Sequence, residues 1–304
     1  MLAEPKYASL EARVRLLRSM PDLLTVSPDT LTLLAEGARF RRYEARTALW
    51  SENDAVASVL YVIEGTIRVE RNGRLLGMLD GRGAVGLISA LAMGALGVTA
   101  VAVTSTVGLE IPADAMRLAL QRDFGFLRMV LRSFARTLLA RNGSLHRSEE
   151  PPTVGVWRDD ELTLVERIIN LRRSPLGRAN LDALADIASS VREVRFQKGD
   201  VIWRVDDPAT NWLRIEYGLV RSETAGGEAT VLGSEYHMGF LEPLAELPRT
   251  TSAHAETPVI GLRIELADWL SVVELHVSLA YQFTSFLARA ILTAEPEAGP
   301  TSRR

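Results

Sequence analysis

Apolar and polar residues alternate over short stretches in the middle of each half of the chain. This period of two predicts strands at 40–50, 59–62, 66–70 and 75–79, and again at 193–203, 212–215, 219–222 and 229–232. Asn72-Gly73, between two such stretches, indicates a tight hairpin. Further strands are predicted at 98–103, 107–111 and 259–264. Many short strands at regular spacing favour a closed or sandwiched β architecture.

Helical spacing dominates the two ends of each half. It predicts opening helices at 10–18, 29–36, 162–172 and 181–189, and closing helices at 113–141, broken near Gly125, and at 266–292. Short helices are also expected directly after Gly86 and Gly239. In the helix at 162–172, the predicted buried face consists of Leu162, Val165, Ile168 and Ile169.

The two halves repeat one another at an offset of 153 residues, with no gap over the matched positions. The matches include Trp50 with Trp203, Gly65 with Gly218, Gly86 with Gly239, Leu31 with Leu184 and Arg136 with Arg289. Glycines that stay in register mark backbone positions where a side chain does not fit. We therefore expect two copies of one domain, at 1–141 and 159–294, joined by a linker at 142–158 and followed by a flexible tail at 295–304.

The order of elements, and above all the segment after Gly239, resembles the cyclic nucleotide-binding domain family. The resemblance implies two tandem jelly-roll domains, mainly β with flanking helices. In the family, a Phe-Gly-Glu-Leu-Ala segment is followed by Pro-Arg and a small hydroxyl residue. There, the helix N-terminus and the arginine hold the cyclic phosphate, and the glutamate binds the ribose hydroxyl. Unpaired N–H groups at a helix N-terminus and the two-pronged guanidinium of arginine are both suited to bind a phosphate.

The second copy keeps part of this cassette. The resemblance assigns the candidate ligand site to Gly239, Phe240, Leu241, Arg249, Thr250 and Ser252. Phe240 stands where the family has its glutamate, and Glu242, two residues on, points to a different helix face. We therefore expect the second copy to keep the part of the site that binds phosphate and to lack the part that binds ribose. A cyclic nucleotide is the candidate ligand of this copy.

The first copy has lost the charged cassette residues, with Leu96 at the arginine position. A cyclic phosphate buried there would have no countercharge, which is heavily penalised. Apolar residues of this segment are either core or a patch for a partner, and the candidate interaction residues are Leu87, Leu91 and Leu96. An exposed patch would favour a homodimer or a stable heteromeric partner.

Three arginines on the first closing helix repeat every four residues. Arg128, Arg132 and Arg136 form a basic stripe, interpreted either as a solvated face or as a docking stripe for an acidic partner or for a helix of the other copy.

Charge and composition narrow the function further. A net charge of −3 disfavours nonspecific binding to nucleic acid, and the absence of cysteine removes disulfides and zinc-thiolate sites. The uncharged stretch 83–109 is long enough to suggest a membrane span, but its repeat partner contains Glu242, Glu246 and Arg249, so no insertion is expected. No signal peptide is visible at Met1 to Lys6, which favours a cytoplasmic protein.

No catalytic constellation supports an enzyme. Gly81 to Gly86 matches a dinucleotide-binding glycine pattern but lacks a βαβ unit, and His237 and His254 are too isolated for a metal site. Neither a dinucleotide nor a metal is therefore expected, and a cyclic nucleotide in the second copy is the one cofactor candidate. The prediction is a regulatory or scaffolding protein that acts through protein contacts. The alternatives are a cyclic nucleotide sensor working through the second copy and a transcription regulator, for which no helix-turn-helix follows Leu292.

Overall fold

A computed structural model describes residues 9–92, 98–141, 151–174 and 179–294. The chain divides into two compact units, Met1–Val130 with Thr284–Arg304, and Leu131–Phe283. Each unit contains one β-roll made of two four-stranded antiparallel sheets. The predicted fold class is therefore confirmed.

The first roll contains eight strands. They are β1 (Arg39–Tyr43), β2 (Ala48–Trp50), β3 (Ser58–Glu64), β4 (Thr66–Arg71), β5 (Arg74–Asp80), β6 (Gly83–Val85), β7 (Thr99–Ala102) and β8 (Thr106–Pro112). The sheet orders are β1-β8-β3-β6 and β2-β7-β4-β5. Helix α3 (Leu87–Leu91) is embedded after β6, at the predicted place.

The second roll repeats this order. Its strands are β9 (Arg192–Phe196), β10 (Val201–Trp203), β11 (Asn211–Tyr217), β12 (Val220–Thr224), β13 (Ala229–Leu232), β14 (His237–Met238), β15 (Thr251–Ala255) and β16 (Val259–Glu265). They form the sheets β9-β16-β11-β14 and β10-β15-β12-β13, with helix α8 (Leu241–Ala245) embedded after β14.

The same core positions are filled in both rolls. Leu60, Val62, Ile67, Val85 and Ala100 form a buried cluster in the first roll. Their partners at the 153-residue offset, Leu213, Ile215, Val220, Met238 and Ala253, form the cluster of the second. Gly65, Gly218, Gly86 and Gly239 all have positive φ, so the paired glycines occupy equivalent turns.

Some predicted strand limits were wrong. The stretches 40–50 and 193–203 are each two strands in different sheets, because the chain turns between them at Arg46 (φ 69°) and Gly199 (φ 92°). The hairpin at Asn72-Gly73 is confirmed, with positive φ at both residues. The hairpin between β12 and β13 is longer. Gly226 matches Gly73 at the repeat offset, but the glycine with positive φ there is Gly227.

Four helices open the two halves: α1 (Leu10–Arg18), α2 (Pro28–Gly37), α6 (Leu164–Arg172) and α7 (Leu181–Ser190). Each begins at a side-chain cap, from Ser9, Ser27, Thr163 and Asn180 respectively. The repeat is not ungapped here. Ser9 matches Thr163 at an offset of 154, because the connection after α1 is one residue longer than the one after α6.

The predicted buried face of α6 is not the observed one. Leu162 lies before the helix and is buried, and within the helix only Leu171 is fully buried. Val165 and Ile169 are 64% and 49% exposed. A periodic apolar stripe shows that a face is suited to burial, but not that this chain supplies the covering element.

Each closing region is two helices rather than one. The first consists of α4 (Ala113–Arg122) and α5 (Phe124–Ala140), and the second of α9 (Leu266–Leu275) and α10 (Val277–Thr293). The first break lies at Asp123, whose carboxylate accepts hydrogen bonds from the backbone N–H groups of Phe126 (2.9 Å) and Ser27 (3.2 Å). The second lies at His276, where none was predicted.

The compact units exchange the ends of their closing helices. Helix α5 begins in the unit of the first roll, but its residues from Leu131 onward belong to the unit of the second. Helix α10 does the reverse from Thr284 onward. Among the described residues, no helix is long and apolar enough to span a membrane, and the uncharged stretch 83–109 contributes β6, α3, β7 and part of β8.

Candidate functional site

The cassette of the second roll begins at a glycine that closely contacts the β-roll. Gly239 lies between β14 and α8 with a φ of +68°. A Cβ atom at this position would lie 2.5 Å from Nη1 of Arg249 and 2.7 Å from the Trp203 ring. Only glycine therefore fits between the indole and the guanidinium.

Arg249 is held by the protein itself. Its side chain is 3% exposed, and its Nη1 donates to the carbonyl oxygen of Gly239 at 2.6 Å. Its Nη2 donates to the carbonyl oxygen of Asn211. The guanidinium also stands over the Trp203 ring, 4.0 Å from the centroid. Burial lowers the pKa of Arg249 below its ordinary value, although nearby Glu242 and Asp207 act in the opposite direction.

The carboxylate of Glu242 is directed inside the cassette. Glu242 is 5% exposed and accepts a hydrogen bond of 2.7 Å from the hydroxyl of Thr250. This bond ties α8 to the loop that carries Arg249. Glu242 is thus a structural acceptor, and Thr250, a predicted site residue, is its donor.

Phe240, at the family's glutamate position, is part of an aromatic cluster. Its ring packs edge-on against Trp212 (centroids 6.0 Å apart) and Phe283 (5.5 Å), and Phe283 contacts Trp269 at 4.6 Å. Phe240 is 6% exposed. The position therefore contributes to packing between the roll and the helices and offers no acceptor for a sugar hydroxyl. Leu241, which follows Phe240 in the sequence and is also a predicted site residue, is buried.

The small hydroxyl residue supports the backbone. Ser252 accepts a hydrogen bond of 3.0 Å from the N–H of Val205. Thr99, at the same place in the first roll, accepts one of 3.2 Å from the N–H of Glu52. Because the first cassette lacks the phosphate-binding arginine and makes the same bond, this hydroxyl has a role that does not require a ligand.

The first cassette is apolar, as predicted, and part of it is core. Leu91 is 3% exposed, so a partner cannot reach it in this structure, whereas Leu87 is half-buried. Leu96 lies outside the described residues. A Cβ atom on Gly86 would lie 2.9 Å from the Trp50 ring, which repeats the contact of Gly239 with Trp203.

Two arginines of the basic stripe contact the second cassette. Arg136 Nε donates to the carbonyl oxygen of Ala245, the last residue of α8, at 2.9 Å. Arg132 pairs with Glu246, which directly follows that helix, at 2.9 Å. Both contacts lie within the unit Leu131–Phe283. Arg128 is exposed and belongs to the other unit.

The mirror contact is present in the other unit. Arg289 Nε donates to the carbonyl oxygen of Ala92 at 2.7 Å, and Ser285 donates to the same oxygen at 3.1 Å. Arg289 and Ala92 are the repeat partners of Arg136 and Ala245. In each unit, a cation therefore meets the carbonyl end of the embedded helix, where it is favourable.

Sequence reasoning found Arg249 but missed its neighbours. Trp203 and Asn211 hold the guanidinium, and neither was a candidate. The pairing of Trp50 with Trp203 and of Arg136 with Arg289 at the repeat offset was the signal available, since an exact match through a diverged repeat marks a shared contact.

Several solved structures and one family model are similar to this chain. No curated protein matches the chain. Similar solved structures include a regulatory subunit of a cAMP-independent protein kinase A from Trypanosoma brucei (14% identity, covering 92% of this chain and 88% of that chain, TM-score 0.37). They also include the regulatory domain of Toxoplasma gondii PKA with cAMP (15% identity, covering 90% and 94%, TM-score 0.34). The N-terminal domain of a Streptomyces coelicolor A3(2) transcriptional regulator matches over 40% of this chain and 90% of that chain (24% identity, TM-score 0.36).

The family model of the cyclic nucleotide-binding domain matches twice, at residues 40–123 and 193–276. The two matches together cover more than half of the chain, and each coincides with one β-roll and its embedded helix. The chain therefore belongs to the cyclic nucleotide-binding domain family and contains two tandem copies of the domain.

Proposed function

We propose that this protein is a non-enzymatic regulatory or scaffolding protein that acts through protein contacts, with cassettes that serve as structural parts of the rolls. One observation carries the proposal. The guanidinium of Arg249, the group that would hold a cyclic phosphate, is already bound to the carbonyl oxygens of Gly239 and Asn211 and stacked on Trp203.

A phosphate would have to compete with these contacts. Hydrogen bonds from a charged donor contribute about 1.5–3 kcal/mol each, so a nucleotide must replace both of them before it gains any affinity. Phe240 offers no compensating bond to the ribose, because its side chain has no polar atom, and its ring packs against Trp212 and Phe283.

The second candidate is a cyclic nucleotide sensor. Its support is the place of Arg249, whose Nη1 lies 2.6 Å from the carbonyl oxygen of the residue that precedes Phe240, at the start of the embedded helix. The resemblance puts the cyclic phosphate at this helix N-terminus. A nucleotide that displaced the Gly239 carbonyl from the guanidinium would find a cation already in position.

Calorimetric titration of the purified chain with cyclic AMP, cyclic GMP and cyclic di-GMP separates the two candidates. We expect no binding at micromolar concentrations. Micromolar or tighter binding that is lost in a folded Arg249→Met variant would overturn the structural role and establish the sensor.

The same variant tests the structural role directly. Arg249→Met keeps an apolar stem on Trp203 but removes both hydrogen bonds, so we expect the free energy of unfolding in urea to fall by about 3–6 kcal/mol. The control is Arg221→Met on β12, since Arg221 is 46% exposed and pairs with Glu223 at 3.4 Å. Its removal should change stability by less than about 0.5 kcal/mol.

A further inference from the structure

Helix α6 presents apolar side chains to solvent. Leu164, Val165 and Ile169 are 47%, 64% and 49% exposed, and they are called the α6 face below. Leu171, near the end of the helix, is fully buried and anchors it. Leu181, the first residue of α7, which packs against α6, is 57% exposed as well. Exposed apolar residues grouped on one element mark interaction sites more often than isolated ones do.

The first repeat shows that the fold does not require this face. Helix α1 has the same N-cap position and the same buried anchor, Leu17, at the 154-residue offset. At the positions of Val165 and Ile169 it carries Glu11 and Arg15, both exposed. Leu164 has a counterpart in Leu10, which is 36% exposed. Val165 and Ile169 are therefore the part of the α6 face found in the second copy alone, at positions where the equivalent helix folds with charged residues.

The segment before α6 also carries exposed apolar side chains. Arg158 pairs with Glu166 of α6 at 2.6 Å, which holds this segment against the helix. Val156 and Trp157, directly before Arg158, are 80% and 45% exposed.

Charges at the two ends of α6 are opposite and exposed. Asp160 and Glu161 precede the helix, and Arg172 and Arg173 end it. Their existing partners are distant: Glu161 meets Arg167 at 3.8 Å, and Arg173 meets Glu235 at 3.8 Å. Both Glu161 and Arg173 keep most of their side chains in solvent, at 76% and 65% exposure.

We propose that the α6 face binds the α6 face of a second copy of this chain. A helix that packs on its own copy across a perpendicular two-fold axis runs antiparallel to it. The acidic start of each helix then meets the basic end of the other, while the apolar residues meet in the middle. This inference gives the proposed function a partner, but the contact needs no cassette and no nucleotide.

The apolar part is tested by giving the second copy the residues of the first. Size-exclusion chromatography with light scattering, without nucleotide, should show a dimer of the full chain at about 100 µM. The variant Val165→Glu with Ile169→Arg should be monomeric with an unchanged circular dichroism spectrum, because α1 folds with those residues. Leu75→Glu with Met78→Arg, at β5 positions that are 52% and 56% exposed, is the matched control and should stay dimeric.

The charged part is tested by reversal. Arg172→Glu with Arg173→Glu should weaken dimerisation about tenfold, because each helix end then meets like charge. Adding Asp160→Arg with Glu161→Arg to the same chain should restore it. A monomeric wild-type chain, a dimer that survives the Val165 and Ile169 changes, or a failure of the reversal to restore association would each overturn the proposal. The nucleotide titration decides the proposed function separately.

Discussion

A single residue position shows that a residue of a family motif can be kept while its side chain binds acceptors of the protein itself. Arg249 occupies the position that binds phosphate in the family, and the structure directs it to the carbonyl oxygens of Gly239 and Asn211. The motif predicts that an arginine is there. It does not predict which acceptor the guanidinium takes, because that depends on Trp203 and Asn211, which lie 46 and 38 residues away in the sequence.

Gly239 leaves no room for a side chain at this site. Gly239→Ala would place a Cβ atom 2.5 Å from Arg249 Nη1 and 2.7 Å from the Trp203 ring, in a left-handed backbone conformation. We expect the variant to lower the free energy of unfolding by about 2–4 kcal/mol, from backbone strain and overpacking together.

Gly227→Ala separates the two causes. Gly227 also has a positive φ of +84°, but nothing lies within 4 Å of the added Cβ atom, so only the strain of about 1 kcal/mol applies. Urea unfolding of both variants measures the difference. Equal losses would contradict the tight contact between Gly239, Trp203 and Arg249.

At the scale of elements, alternation located the strands well and the helix faces poorly. Short alternating stretches separated by turn residues predicted most strands and a closed or sandwiched β architecture, whereas the roll itself was implied by the resemblance to the family. The exposure of the α6 face could not be predicted. Val165 and Ile169 have the spacing of a buried stripe, and this spacing is the same whether the element that covers the stripe belongs to this chain or to another. The break at His276 was missed because the run from Leu266 to Leu292 has no glycine or proline.

The first turn of α6 gives a pH prediction. Glu166 closes a capping box with Thr163 and pairs with Arg158, and these contacts lower the pKa of its carboxyl to about 2, chiefly through the hydrogen bond from the Thr163 backbone. Because the folded pKa lies below the unfolded one, the contribution of Glu166 to stability is present above the ordinary value of 4.5 and is lost as the pH falls towards 2.

Thermal unfolding between these pH values tests the prediction. Glu166→Gln keeps an acceptor oxygen but cannot be protonated, so its stability should fall less steeply on acidification than that of the wild type. Glu223→Gln, at an exposed position on β12, corrects for the loss of one negative charge. Identical pH slopes for Glu166→Gln and wild type would show that the carboxylate does not act in this way.

At the scale of the whole molecule, the repeat and the compact units do not coincide. We keep 1–141 and 159–294 as the proposed limits of the two duplicated domains, whereas the compact units exchange residues from Leu131 and from Thr284 onward. Phe134 and Leu138 are 2% and 1% exposed, and they are buried in the unit that holds the second roll. The sequence showed the duplication but not the exchange of helix ends between the units. The exchange depends on which copy a helix end packs against, and two copies of one domain are similar in sequence.

This exchange predicts that neither half is stable alone. Separation would expose large apolar side chains such as Phe134 and Leu138, and each of them costs about 1.5–3 kcal/mol when it is left in water. The separate pieces 1–150 and 151–304 should therefore aggregate or show little helix by circular dichroism. Expressed together, they should purify as a one-to-one complex. Two halves that are well folded and monomeric, and that do not associate when mixed, would contradict the exchange of helix ends between the units.

The matching bonds of Arg136 to Ala245 and of Arg289 to Ala92 each join an arginine of one copy to a carbonyl oxygen of the other. Because both copies lie on one chain, a substitution in one cassette leaves the other unchanged, and each can vary while the arginine and the carbonyl it binds are kept. The two cassettes do differ in this way, with Arg249 in the second where the first has Leu96.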